Sequence, residues 1–254
     1  MLVLLPPSES KTAPRRGTRL DLHRLAFPEL TEARAQVLVR LVQLCRADPD
    51  AAAATLGLGP GQAGEIARNA ELPGALAARA DRVYTGILYA AMGLDTLDAV
   101  ARRRAGRWLA TTSSVFGLVR PADGIPAYRL SGNVRLPGLG SVASHWRAAL
   151  GATVARAAGE GPVLDLRSGT YQAFWNPSGA VARHTVTARV LHESAGERIV
   201  ASHHNKATKG RLVRSLLACG AVPRSVTALV GTLGDLGWEV TRAGSHLDVV
   251  VRDP

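Results

Sequence analysis

The chain has 254 residues, a formal net charge of +11, 46% hydrophobic and 20% charged residues. That length can bury a substantial core, the apolar content is ordinary for a globular protein, and no apolar run reaches the roughly 18 residues that a membrane-spanning helix needs. The apolar start Leu2–Leu5 meets Pro6-Pro7 too early for a signal peptide and lacks a basic leader, so a cytoplasmic protein is expected. The positive charge implies attraction to polyanions, although an arginine-rich composition can carry it without purpose.

Taken in chain order, Leu2–Leu5 reads as a short buried strand. Residues 29–46 place Leu30, Ala33, Val37, Leu38, Leu41, Val42 and Cys45 on one helical face. The Ala/Gly-rich stretch 51–64 is weakly specified and is expected to be a mobile loop, followed by a helix over 63–80. A strand is predicted at 107–111, a helix over Val142–Ala158 and a strand at 163–166. Strands at 185–191 and 198–203 flank a short connection containing Gly196, the pattern of an antiparallel hairpin. A second hairpin is predicted from 238–242 and 247–251. With no repeat or long linker, residues 1–254 form one expected domain of mixed α/β (α+β) class, rather than a regularly alternating doubly wound sheet.

Chemistry-bearing residues collect where these strands end. Leu2–Leu5 runs into Ser8-Glu9-Ser10-Lys11, 107–111 into Thr112-Ser113-Ser114, 163–166 into Arg167-Ser168-Gly169-Thr170-Tyr171, and 198–202 into His203-His204-Asn205-Lys206. Ligands of open α/β sheets bind outside the carboxyl ends of strands, so four such ends predict one shared cleft. Of the 31 basic residues only Lys11, Lys206 and Lys209 are lysines, and all three fall in these clusters. A chain that otherwise uses arginine retains lysine where a compact ammonium is wanted.

Asn205 suits the N-cap of a helix starting at Lys206, with Leu212, Val213, Leu216 and Leu217 as its apolar stripe. Lys206 and Lys209 fall in phase with that stripe at its start, where an ammonium snorkels or lines a cleft beside the free N–H groups of the first turn. Gly210 is expected to leave room for close approach there. His204 and Arg214 complete the candidate set on this segment.

The scarce aromatics concentrate between Tyr84 and Trp175. Phe116, Phe174 and Trp175 read as core, while the tyrosines beside strand ends are candidates for function. Residues 102–135 carry seven arginines against the single acid Asp123 and are the expected basic face. Cys45 and Cys219 read as buried reduced thiols. No Cys/His pair has zinc spacing, and His203-His204 would face opposite sides of a strand, so no metal and no cofactor are expected. The chain has no phosphate loop, H-E-x-x-H or G-x-S-x-G, and Gly57-x-Gly59-x-Gly61 lacks the dinucleotide spacing.

The same segments carry a resemblance. Met1 to Thr12, Val83-Tyr84-Thr85-Gly86, and Ser113-Ser114-Val115-Phe116-Gly117-Leu118-Val119-Arg120-Pro121 resemble the YaaA family in order. So do Ile125-Pro126-Ala127-Tyr128-Arg129, Leu166-Arg167-Ser168-Gly169-Thr170-Tyr171 and residues 202–210. Pro6-Pro7, His203-His204-Asn205 and the low lysine count depart from the familiar form. The resemblance implies an unusual α/β topology with a basic cleft, a link to peroxide resistance and to limiting free iron, and DNA binding. It also implies a helix-hairpin-helix-like element, guessed at 113–129.

Two main functions are expected from these readings. One is a DNA-binding stress protein, gripping duplex or distorted DNA and favoured to be monomeric. Its ligand contacts would be Ser8, Lys11, Ser114, Arg120, Tyr128, Arg129, Ser168, His204, Asn205 and Arg214. The alternative is an enzyme acting on a nucleobase, nucleotide or related small molecule, with Lys206 or Lys209 as nucleophile, base or clamp and Tyr84 or Tyr171 as its acid/base partner. A charged globular protein with a protein partner is the bland third reading.

Overall fold

Four consecutive large aliphatic residues, Leu2–Leu5, are hydrogen-bonded to a strand on each side and buried on both faces. This is the signature of a central parallel strand, which has no solvated face to encode as alternation. The computed structural model describes residues 1–194, 197–199 and 204–252.

Among the described residues the main sheet has eight strands: β1 (Leu2–Leu5), β2 (Leu109–Ser113), β3 (Gly117–Val119), β4 (Val163–Asp165), β5 (Thr185–Ser194), β6 (Glu197–Ile199), β7 (Glu239–Ala243) and β8 (His246–Arg252). Their spatial order is β7-β8-β5-β4-β1-β2-β3, with β6 beside β5. The five strands β8, β5, β4, β1 and β2 run parallel, and β7, β6 and β3 pair antiparallel. The sheet is therefore mixed and flanked by helices, in the α/β class. Both hairpins read from the sequence are present, β5–β6 and β7–β8. The predicted continuation of the first through 200–203 lies outside the described residues.

Among the described residues the helices include α1 (Thr31–Ala47), α2 (Pro49–Leu56), α3 (Ala63–Ala70), α4 (Ile87–Met92), α5 (Ala99–Trp108), α6 (Val142–Ala158), α7 (Gly169–Gln172), α8 (His204–Ala218) and α9 (Val226–Asp235), with further short helical segments such as Ala80–Val83 and Gly179–Ala182 between them. The predicted apolar stripes of α1 and α8 are the buried ones. Ser141 caps α6 by accepting from the Ser144 N–H, which is why that helix begins where the sequence placed it.

Four expectations on local structure are corrected. Residues 51–64 are largely helical, because Asp48 caps α2 with two backbone N–H bonds and Gly57 ends it at positive φ. The predicted helix over 63–80 stops at Ala70, where Pro73 interrupts it and Leu76–Arg79 joins a small sheet. The strand expected at 107–111 starts at Leu109, since Arg107 and Trp108 complete α5. Residues 113–129 hold β3 and Gly124–Ile125 and no helix, so they do not form a helix-hairpin-helix.

Two single-residue expectations also change. Cys45 is buried but Cys219 is exposed. Gly210 admits a helix rather than a ligand: a Cβ there would lie 2.3 Å from Leu88 O, so α8 and α4 approach backbone to backbone.

Arginine is not confined to the surface. Arg34 is fully buried and donates to Ala26 O, Phe116 O and Leu118 O, pinning the β2–β3 turn to α1. Desolvation lowers its pKa to about 10, against opposing pull from Asp123 and Glu29. Arg167, buried beside Asp165, also donates to Tyr171 O and Trp175 O and so shapes the loop after β4.

Candidate functional site

Because β1, β2 and β4 are adjacent and parallel, their carboxyl ends open on the same edge of the sheet. After β1, Pro6 and Pro7 break the strand, and residues 10–12 pair with 83–85: Thr12 N donates to Val83 O at 2.9 Å, and Lys11 and Tyr84 form a bridge. Gly86 is required here, since a Cβ would come within 2.8 Å of Ser8 Cβ.

Lys11 is the centre of the cluster. Its Nζ donates to Ser8 O at 2.8 Å and sits 4.3 Å from the centroid of the Tyr128 ring and 5.9 Å from that of Tyr84. A carbonyl and two aromatic faces thus hold the ammonium. Desolvation dominates and lowers its pKa to about 8, with Glu9 and Glu65 opposing and Arg129 and Arg68 adding to the shift.

Beneath it runs a chain of hydroxyls. Tyr84 OH lies 3.0 Å from Tyr128 OH, which lies 2.8 Å from Ser113 Oγ, and Ser113 Oγ accepts from Phe116 N at 3.0 Å. Tyr84, Tyr89, Tyr128 and Tyr171 are all buried, and desolvation raises each phenol, Tyr171 to about 12. They are neutral hydroxyls near pH 7, not ready bases. Ser114 donates to Leu130 O at 2.5 Å and neighbours Tyr171.

On the other side of β1, Lys209 Nζ donates to Leu166 O at 3.1 Å, where the chain leaves β4. Burial lowers its pKa and the Asp165 charge opposes the shift. Lys206 is exposed one turn earlier, so the two lysines are not equivalent. Asn205 lies inside the first turn of α8 rather than at its cap. The side chain of His204, like His203, lies outside the described residues.

The remaining candidates divide. Ser8 is buried against Ser10 O, Ser168 is exposed at the start of α7, and both lie on the carboxyl edge. Arg129 is there too, its Nη1 2.9 Å from Glu9 Oε2. Arg120 is not: its guanidinium donates to Arg107 O and Leu109 O, at the amino end of β2, because β3 runs antiparallel and carries the chain back across the sheet. Arg214 donates to Met92 O and Gly93 O and closes the end of α4. The stretch 102–135 is therefore not one basic face. Arg104 is buried against Leu217 O, Arg120 serves the backbone, and Arg107 and Arg129 lie at opposite edges.

Sequence reasoning missed Asn69. It is fully buried in α3, its Nδ2 donates to Arg129 O at 2.7 Å, and its Oδ1 accepts from Arg129 N at 2.9 Å. Nothing in the local sequence marks it, since its role depends on a segment 60 residues away. Among the described residues no three His, Cys, Asp or Glu are grouped to hold a metal, and no helix is long and apolar enough to cross a membrane.

Fold and site together define an α/β protein with a lysine, tyrosine and serine cluster at the carboxyl edge of a mixed sheet. Residues 1–235 match the family described as peroxide stress protein YaaA. A UPF0246 protein of Streptomyces coelicolor is 53% identical over 240 residues, covering 94% of this chain and 92% of its own length. A UPF0246 protein of Corynebacterium efficiens is 41% identical over 254 residues, covering 98% and 95%. The chain belongs to the YaaA family of peroxide stress proteins.

Proposed function

We propose that this chain is a cytoplasmic protein of the peroxide-stress response that binds DNA, with the carboxyl-edge cluster at the centre of the contact. The observation that carries the reading is the placement of Lys11 and Arg129 together at the edge of a chain with net charge +11. Cations at the open end of a sheet favour phosphates, and long-range charge speeds the encounter. Arg120 and Arg214 are withdrawn from the contact, because backbone carbonyls use them.

The test is binding of duplex and distorted DNA across a salt series. Phosphate neutralisation releases counterions, so affinity is expected to fall linearly in log–log form. An affinity flat in salt, or absent at low salt, overturns the reading.

A second reading is an enzyme acting on a nucleobase, nucleotide or related small molecule. It is supported by Lys11, whose amine is partly neutral near pH 8, above a hydroxyl chain. Here Lys11 and Lys209, not the exposed Lys206, are the amines of interest. Turnover or binding of nucleosides and nucleotides that is lost in a folded Lys11→Met variant supports it; indifference to that change removes it.

A further inference from the structure

Arg129 and Glu9 form an ion pair whose two halves are held very differently. The main chain of Arg129 is gripped by Asn69 through both its N–H and its C=O, and Asn69 is fully buried. Glu9 sits in the short run between Pro7 and Lys11, and its side chain is 57% exposed against 28% for Arg129. The Arg129 backbone is thus fixed, and Glu9, the more exposed of the two side chains, is the partner able to turn into solvent. Lys11 has no carboxylate in ion-pair contact among the described residues; its ammonium spends one hydrogen on Ser8 O. The next acid that its field reaches, Glu65, is paired with Arg68.

We propose that Lys11 and Arg129 form a receptor for a phosphate group, and that Glu9 occupies it as a built-in competitor until a ligand displaces it. The inference rests on the reading that the carboxyl-edge cluster is the ligand site, not on DNA being the ligand. Glu9 meets Arg129 through one oxygen, Oε2, and a phosphate brings more charge and more acceptor oxygens to the same guanidinium. An exposed ion pair is cheap to break, so Glu9 lowers affinity without blocking the site. A phosphate entering between the two cations meets the Lys11 charge that Glu9 leaves without a direct partner. The group can come from a free phosphate, a nucleotide or the DNA backbone.

The experiment titrates the full chain with inorganic phosphate, a 5′-mononucleotide and a short duplex at fixed low salt. It compares wild type, Glu9→Gln, Glu160→Gln and the double variant Glu9→Gln, Arg129→Gln. Glu160 is exposed beside Gly161, which lies against Met1 at the opposite edge of the sheet, and so reports the effect of net charge alone. Glu9→Gln is expected to tighten binding about three- to tenfold, Glu160→Gln to change it less than about twofold, and Arg129→Gln to abolish the gain. A gain with phosphate and mononucleotide identifies a small ligand; a gain with the duplex alone identifies the backbone, and either supports the receptor. Equal effects of Glu9→Gln and Glu160→Gln, or no gain with any probe, overturn it. Nucleotide binding that responds to Glu9 while wild type ignores DNA counts against the DNA reading and leaves the receptor standing.

Discussion

Lys209 reaches back from α8 to donate to the backbone carbonyl of Leu166, 3.1 Å from its Nζ, one residue beyond the end of β4. Lys206, one helical turn away, is exposed. Replacing each by arginine separates them. The bulkier planar guanidinium cannot copy the compact ammonium that reaches Leu166 O from the partly buried site of Lys209, so Lys209→Arg is expected to cost about 1–2 kcal/mol. Lys206→Arg is expected to stay within about 0.5 kcal/mol, as surface changes do. Denaturant titration of both variants measures the difference; equal stabilities contradict the role given to Lys209.

Lys11 predicts a pH-dependent stability. Its folded pKa, about 8, lies below the ordinary lysine value of about 10.4. Between these values the unfolded chain binds more protons than the folded one, so this residue's contribution to stability rises with pH. Its cost is fully present below about pH 8 and is relieved as the amine loses its proton on both sides of the equilibrium. Lys11→Met is therefore expected to stabilise the protein by about 1 kcal/mol at pH 7, with the gain fading by about pH 10. A gain independent of pH, or a loss at pH 7, would show that the ammonium is not desolvated as the geometry requires.

Tyr128 serves Lys11 with its ring and the core with its hydroxyl. Tyr128→Phe keeps the ring but removes the bridge between Tyr84 OH and Ser113 Oγ. Both hydroxyls then lose a buried partner, which is expected to cost about 1–3 kcal/mol. Ligand affinity should hold within a few-fold, because the surface under Lys11 is unchanged. Tm and phosphate titration read the two effects apart; lost affinity at unchanged Tm would place the hydroxyl in the binding site instead.

Gly210 is a structural test of how α8 is seated. Its missing Cβ faces Leu88 O, which as backbone cannot turn aside. Gly210→Ala is expected to destabilise by about 2–3 kcal/mol despite the better helix propensity of alanine. Lys209 should then detach from Leu166, seen as a rise of its pKa in NMR of the three lysines. A neutral or stabilising outcome is incompatible with the close packing of α8 on α4.

Hydrophobic pattern by itself determined much of this molecule. The run Leu2–Leu5, the helix Val142–Ala158, the stripe Leu212 to Leu217 and both hairpins are legible because period and burial act over a few neighbouring residues. The convergence of Lys11, Ser114 and residues 166–171 was likewise readable as strands ending in polar clusters. Which side chains those clusters spend on the fold was decided only by tertiary structure. Arg120 and Arg129 stand nine positions apart in one motif, yet antiparallel β3 carries the first to the amino end of β2 while Asn69 holds the second beside Lys11. Strand direction and a buried amide 60 residues away are long-range pairings, and no local periodicity encodes them. The same holds for Gly210, whose space is filled by α4, and for the tyrosines, whose position at strand ends left open whether they face solvent or core. Burial settled that: a hydroxyl packed between sheet and loop is kept neutral by desolvation.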